Sequence, residues 1–351
     1  MQKYKRGAGI PYSGEGLKIL SLFLPPLYLS VLNQKPIMKS AAFALFLLLS
    51  LPSTGQEIET SRLKKHIYYL ADDKMKGRGT GSKQAQQAAK YVQKAFKSYG
   101  LAPLGTKGYY QDFEAKVRRV VVPDSIRPSR NVIGFLDNGA DKTVIVGAHY
   151  DHLGEGKQGS SRDSTGYGMI HNGADDNASG VAGLLELARV FSQNKVKEPV
   201  NFLFIAFGAE ELGLVGSRYF AAHPTLSLNT VHFMLNMDMI GRFNPDNGVA
   251  IIGYGTSPEF EPIFGAIDKE RHIKHYTGYE GRGGSDQTSF YEKDIPVLFF
   301  HTGGHDDYHK PGDDAHKIDY ASLKGILELE KAVIEGSFGV QKMHFRNTDK
   351  K

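Results

Sequence analysis

Two stretches of this sequence, Thr143–Ala148 and Val200–Phe207, are almost continuously apolar and rich in Val, Ile and Phe. A strand with one wet face alternates apolar and polar side chains. A strand without that alternation is covered on both faces, as in a parallel sheet flanked by helices. Asn131–Leu136, Val231–Met237, Val249–Ile252 and Pro296–Phe300 read as further strands. Between and around them lie segments with helical spacing: Ser61–Ala71, Gln84–Tyr99 closed by Gly100, Gly180–Ser192, a stretch through Phe220, Pro258–Arg271 and Tyr320–Phe338. This alternation predicts the α/β class, a three-layer α/β/α sandwich around a mixed, mainly parallel central sheet. Ligands of such folds bind beyond the carboxyl ends of the strands, so the chemistry is sought just after each strand.

The N-terminus belongs to a different kind of segment. Met38-Lys39 is followed by an apolar run from Ala41 to Leu51, then Pro52-Ser53-Thr54-Gly55 and Gln56. A short positive start, an apolar stretch too short to span a bilayer and small residues at its end form a secretory signal peptide, cut near Gly55/Gln56. Residues 1–37 do not fit that scheme and read as a mis-assigned extension, so 1–55 is a presequence. The expectation is an exported protein, periplasmic or extracellular, with no stable membrane insertion after cleavage. The formal charge of +5 also comes from this segment. It holds six of the 43 basic residues and one of the 38 acidic ones, leaving 37 of each in 56–351. No basic field remains for nucleic acid. The absence of cysteine excludes disulfides, thiolate metal sites and a Cys nucleophile. Residues 56–351 show no linker or repeat and are read as one catalytic domain.

Acids and histidines crowd the ends of the expected strands. His149 and Asp151 follow the first apolar run, two residues apart, so in an extended segment both point to one side. Asp175 and Asp176 precede a helix among small residues. Glu210 and Glu211 follow Phe207, and adjacent carboxylates repel each other unless a cation sits between them. Asp238 closes the strand ending at Met237. The run from His301 to Pro311 contains His305, Asp306, Asp307, Tyr308 and His309, and composition does not say which histidine is used. Each cluster has an ordinary reading: a polar pair in a turn, an Asp or Asn N-cap, a glutamate-rich first turn. Their recurrence at successive strand ends, with His and carboxylate donors and no Cys, suits a hydrolytic zinc site.

The blocks GAHYDHLG (147–154), NGADDNASG (172–180), AFGAEELGLVGS (206–217), NMDMIG (236–241) and HTGGHDDYHKPGDD (301–314) resemble, in order and spacing, the secreted di-zinc aminopeptidases of the bacterial leucyl aminopeptidase family. Relatives of that family include glutamate carboxypeptidases and glutaminyl cyclases. The resemblance covers essentially all of 56–351 and implies a zinc exopeptidase-like fold with two Zn²⁺ ions. It implies that His149 and Asp238 bind the first zinc, that Glu211 and His309 bind the second, and that Asp175 bridges them. It further implies a cis peptide between Asp175 and Asp176, Glu210 as general base, Asp151 as the partner that orients His149, and Tyr308 as a phenol near the oxyanion. The implied substrates are peptides with a free N-terminus.

Some positions depart from the pattern or stay outside it. Many relatives carry Ser-Asp-His in a pocket-forming loop, where this chain has Ser285-Asp286-Gln287. His152, His171, His301 and His305 receive no ligand role from the resemblance and are read as structural or surface residues. The stretch between Lys107 and Arg130 is too short for the protease-associated insert of some relatives. Gly77-Arg78-Gly79-Thr80-Gly81 does not follow a strand, which argues against a phosphate loop. A carboxypeptidase or glutaminyl cyclase on the same fold is the alternative chemistry, and a non-catalytic binding protein is a third class.

Overall fold

A computed structural model describes residues 57–116, 126–157, 161–164, 168–270 and 272–349. The chain divides into two units, Met1–Pro52 and Ser53–Lys351, and the described residues all belong to the second. The signal peptide read at 38–55 and the extension at 1–37 lie outside the described residues. No helix among the described residues is long and apolar enough to cross a membrane.

The period of two along the strands sorts the side chains into two layers. In β4 (Thr143–His149), Val144, Val146 and Ala148 pack into the larger apolar cluster, while Ile145 faces the smaller one. In β5 (Asn201–Phe207), Phe202, Phe204 and Ala206 join the larger cluster, and Leu203, Ile205 and Phe207 the smaller. The larger cluster is closed by helices α1 (Thr60–Leu70), α2 (Lys83–Ser98), α3 (Gly180–Gln193), α5 (Phe260–Ile267) and α7 (Tyr320–Gly336). The smaller is closed by α4 (Val215–Ala222) and α6 (Gln287–Tyr291), through Phe220, Phe290 and Tyr291. Both faces of these two central strands are therefore dry, as the unbroken apolar runs require.

The remaining strands are β1 (Ala102–Pro103), β2 (Tyr110–Lys116), β3 (Ile126–Leu136), β6 (Val231–Met237), β7 (Val249–Ile252), β8 (His275–Gly278) and β9 (Val297–His301). Their order is β1-β3-β5-β4-β6-β9-β7-β8, with β2 also paired to β3. The central neighbours β5-β4, β4-β6 and β6-β9 are parallel. Antiparallel pairings, β3 with β5 and β7 with β9, flank them. The register aligns His149 with Phe207 and Met237 with Phe300, so four chain segments leave the sheet at one edge.

The helices follow the expected stripes. In α2, Ser82 caps the N-terminus by accepting from the Ala85 N–H at 3.0 Å, and Ala85, Ala88, Ala89, Val92 and Phe96 form the buried stripe. Two expectations change. The helix expected over Pro258–Arg271 is Phe260–Ile267, because its buried positions end at Ile267 and Asp268-Lys269-Glu270 have nothing apolar to bury. The strand expected over Asn131–Leu136 begins earlier, at Ile126, and β1, β2, β8 and α6 were not expected. β8 is a polar segment (HYTG) at the sheet edge, with no hydrophobic pattern to announce it.

Candidate metal centre

Where β4 ends, His149 is fully buried. Its Nδ1 lies 3.2 Å from the backbone carbonyl of Asp151, which fixes the ring and turns Nε2 toward the sheet edge. The Asp151 carboxylate is farther away, 3.8 Å from Nδ1. It instead accepts from the Glu210 N–H at 3.0 Å and from Thr80 Oγ1 at 2.9 Å. The expected orienting contact thus comes from the Asp151 backbone, and the carboxylate ties the turn after β4 to the turn after β5.

The loop before α3 corrects one assignment. Asp176, rather than Asp175, stands between the histidines. Its Oδ1 is 3.4 Å from His149 Nε2 and its Oδ2 is 3.2 Å from His309 Nε2. Asp175 faces the other way. Its Oδ1 accepts from the Gly241 N–H at 2.6 Å, and its Oδ2 lies 3.2 Å from His305 Nε2. The backbone explains the choice. The N–H groups of Asp175 and Asp176 both donate to the buried Asp313 carboxylate at 3.0 Å, and successive side chains then leave the loop on opposite sides. The cis peptide is Asp176-Asn177, one residue beyond the expected position. Asn177 ties the loop to the start of α3 and to the end of β6: its Oδ1 accepts from the Gly180 N–H and its Nδ2 donates to the Met237 carbonyl, both at 2.9 Å. Gly173 must be glycine, since at φ +58 an added Cβ would press on the Asp176 carbonyl and come within 2.5 Å of the His152 ring.

Beyond β5, Glu210 and Glu211 sit in a short turn, Glu210–Leu212. Glu211 Oε2 is 3.3 Å from His309 Nε2, and Glu211 Oε1 is 2.7 Å from His152 Nδ1. Glu210 Oε2 is 3.8 Å from His149 Nε2. Beyond β6, Asp238 Oδ1 is 3.3 Å from His149 Nε2. The structure thus brings His149, Glu210, Glu211, Asp238 and His309 together and puts Asp176 in the shared position. It also adds His152, which the sequence reading left outside. The available signal for it was a second histidine three residues after the first, in His149-Tyr150-Asp151-His152.

Among the described residues, two groups of ligand atoms lie within 4.8 Å of one another: His149, Asp176 and Asp238, and His152, Asp176 and Glu211. The electrostatics call for cations. Burial opposes a charge on His149, but Asp238, Glu210 and Asp176 outweigh it and raise its pKa well above the usual value. Burial acts the other way on Asp176, yet His152, His149 and His309 hold its carboxyl well below the usual range. Burial raises Glu210 well above a free glutamate, helped by Glu211, Asp286 and Asp238. His149 Nε2 is buried with no hydrogen bond although two carboxylates face it. A donor set of imidazole and carboxylate, crowded and lacking hydrogen bonds at its centre, fits zinc.

The centre opens into a cavity of about 270 Å³ walled by Leu214, Met239, Gly283, Gly284 and Tyr308. The Tyr308 phenol is partly buried, with the His309 ring at 3.9 Å and the Arg162 guanidinium 4.5 Å over its face. Burial and the four carboxylates of the centre raise its pKa, so it stays protonated. Ala209, Leu214, Met239 and His309 all have positive φ. Such residues cost ~1–3 kcal/mol each and gather at functional sites. Asp286 lies buried nearby, and burial, with Asp238 and Asp151, outweighs His149 and Ser217 and pushes its pKa up to about 7. A larger cavity, about 1000 Å³, lies at the other ends of the strands beside Lys142, Pro199 and Val231 and contains none of these residues.

The profile of peptidase family M28 matches residues 131–334, more than half of the chain. An Escherichia coli (strain K12) protein, described as uncharacterized protein YfbL, is 25% identical over 309 residues, covering 80% of this chain and 88% of that one. Leupeptin-inactivating enzyme 1 of Streptomyces exfoliatus is 34% identical over 189 residues, 53% of this chain but only 38% of that enzyme's length. Among solved structures, a zinc aminopeptidase from Bacillus subtilis shares the fold with a TM-score of 0.64 at 17% identity, covering 83% of this chain and 98% of that one. With the profile spanning the strand ends that carry the cluster and reaching the last helix, this chain belongs to peptidase family M28 and is a metallopeptidase.

Proposed function

We propose that this protein is a di-zinc aminopeptidase that removes single residues from the N-terminus of peptides. One observation carries the reading: Asp176 is shared by two donor groups, with His149 and Asp238 on one side and Glu211, His309 and His152 on the other. Two ions bound there supply Lewis-acid activation of water and of the scissile carbonyl. The chain's own residues do the rest. Glu210, whose Oε2 lies 3.8 Å from His149 Nε2 at the edge of the first donor group, accepts the proton of the attacking water and passes it to the leaving amine. The water oxygen joins the carbonyl carbon, the C–N bond breaks, and a free amino acid and a shortened peptide leave. The protonated Tyr308 phenol donates to the oxygen that gains charge. Exopeptidase selection comes from the acids of the centre together with the ions they would hold, which would receive a free α-amine, and from the confined cavity of about 270 Å³ beyond them.

The test is incubation of purified protein with mixed peptides, with and without a chelator, read by mass spectrometry. Chelator-sensitive stepwise loss of N-terminal residues is expected. Trimming from the C-terminus, or cyclised N-terminal glutamine, would move the protein to the alternative chemistry on this fold. Zinc-loaded protein that changes no peptide would overturn the reading. The same proposal holds that the enzyme acts after export. A mature exported chain starting near Gln56 is expected, and an intact N-terminus in the cytoplasm would contradict it.

A further inference from the structure

Gly77-Arg78-Gly79 lies outside every strand end, yet Arg78 is one of the most buried side chains in the protein. All four hydrogen bonds of its guanidinium go to backbone carbonyls. Nε donates to Tyr150 at 2.8 Å, Nη1 to Leu70 at 2.6 Å and to Asn172 at 2.7 Å, and Nη2 to Gly173 at 2.9 Å. The Arg78 carbonyl in turn accepts from the His152 N–H at 3.4 Å. One residue therefore grips both the segment that carries His149 and His152 and the loop that presents Asp176.

The local backbone is built for this grip. Gly77 and Arg78 both have positive φ, and a Cβ on Gly77 would collide with the carbonyls of His171 and Gly154. Burial lowers the Arg78 pKa to about 10, while Asp176, Asp151, Asp313 and Glu211 resist that fall, so the charge persists at neutral pH. A planar fork of donors suits four carbonyls on three segments; an ammonium, with three donors at one point, does not.

We infer that Arg78 is a positioning residue for the metal centre: it locks the His149–His152 segment to the Asn172–Gly173 loop, so that Asp176 faces both histidine groups at once. The inference rests on the di-zinc reading. Groups that orient metal ligands typically change affinity by ~10–100-fold when removed.

The experiment compares wild-type protein with R78A and R78K. Zinc stoichiometry and affinity come from calorimetry, and the visible spectrum of the Co²⁺ form reports ligand geometry. Kinetics separate kcat from KM, each with and without added guanidinium. The expected R78A protein is folded, binds at least one ion ~10–100-fold more weakly, and shows an altered Co²⁺ spectrum. Its kcat falls while KM is nearly unchanged. Guanidinium restores binding and rate, and methylammonium does not. Where R78A fails to fold, R78K is read by the same criteria. A folded variant with wild-type zinc affinity, Co²⁺ spectrum and kcat overturns the inference, even if it is less stable. Failure of both variants to fold with guanidinium present also overturns it, leaving Arg78 a folding determinant. Wild-type protein that binds no zinc would instead sink the di-zinc reading.

Discussion

Asp175 and Asp176 send their carboxylates to opposite sides of one loop, the first to the Gly241 N–H and His305, the second to His149 and His309. Adjacent, chemically identical and both buried, they differ only in what the backbone makes them face. Asp176→Ala is expected to abolish binding of at least one zinc ion and nearly all turnover. Asp175→Ala is expected to keep both ions, with reduced thermal stability from the lost Gly241 bond. Metal analysis after exhaustive dialysis checks both, and the reverse pattern would put the bridge back on Asp175.

Glu210 sits beside the first donor group without belonging to either group of clustered ligand atoms. Glu210→Gln is expected to retain zinc and to lower kcat by ~10²–10⁴-fold, the usual contribution of a general base. Wild-type turnover in the zinc-loaded variant would remove Glu210 from that role.

His152 holds Glu211 at 2.7 Å and is fully buried. His152→Gln is expected to weaken zinc at the Glu211 side by ~10–100-fold while the His149 side is little changed. Titration with a coloured chelator would show one weakened class of site, and two unchanged classes would rule out the role.

Glu330 lies on the buried stripe of α7 among Leu323, Ile326, Leu327, Val333 and Ile334, with neither carboxylate oxygen hydrogen-bonded. Burial alone raises its pKa well above the usual value. The folded state therefore binds this proton more tightly than the unfolded state does. Its contribution is intact below the unfolded pKa of ~4.3–4.5 and is lost as pH rises toward the folded value. Glu330→Met is expected to stabilise the protein at pH 8 by about 1–3 kcal/mol, and by less near pH 4. Thermal unfolding of both proteins across that range checks it; a gain that does not shrink in acid would mean that ionisation is not the cause.

Much of this protein is written locally. Thr143–Ala148 and Val200–Phe207 announce a sheet covered on both faces, because no other environment removes every side chain of a strand from water. The acids and histidines after those runs point to the metal centre, since parallel strands deliver their C-terminal ends to one edge. His149, Glu210, Glu211, Asp238 and His309 could be named from the strand-end blocks and their family resemblance. The polar strand β8 could not, because an edge strand carries little of the burial that leaves a pattern in sequence. Nor could spacing choose between Asp175 and Asp176. That choice was made by Asp313, 137 residues beyond Asp176, whose carboxylate takes both loop N–H groups and sets which side chain turns inward. His152 and Arg78 joined the centre in the same way, through contacts with Glu211 and with the carbonyls of Tyr150, Asn172 and Gly173. Hydrophobic period is a property of neighbours along the chain, so the sequence determined the layers and the strand ends. The direction of a buried carboxylate depends on hydrogen-bond partners brought from distant segments, and only the folded structure decided it.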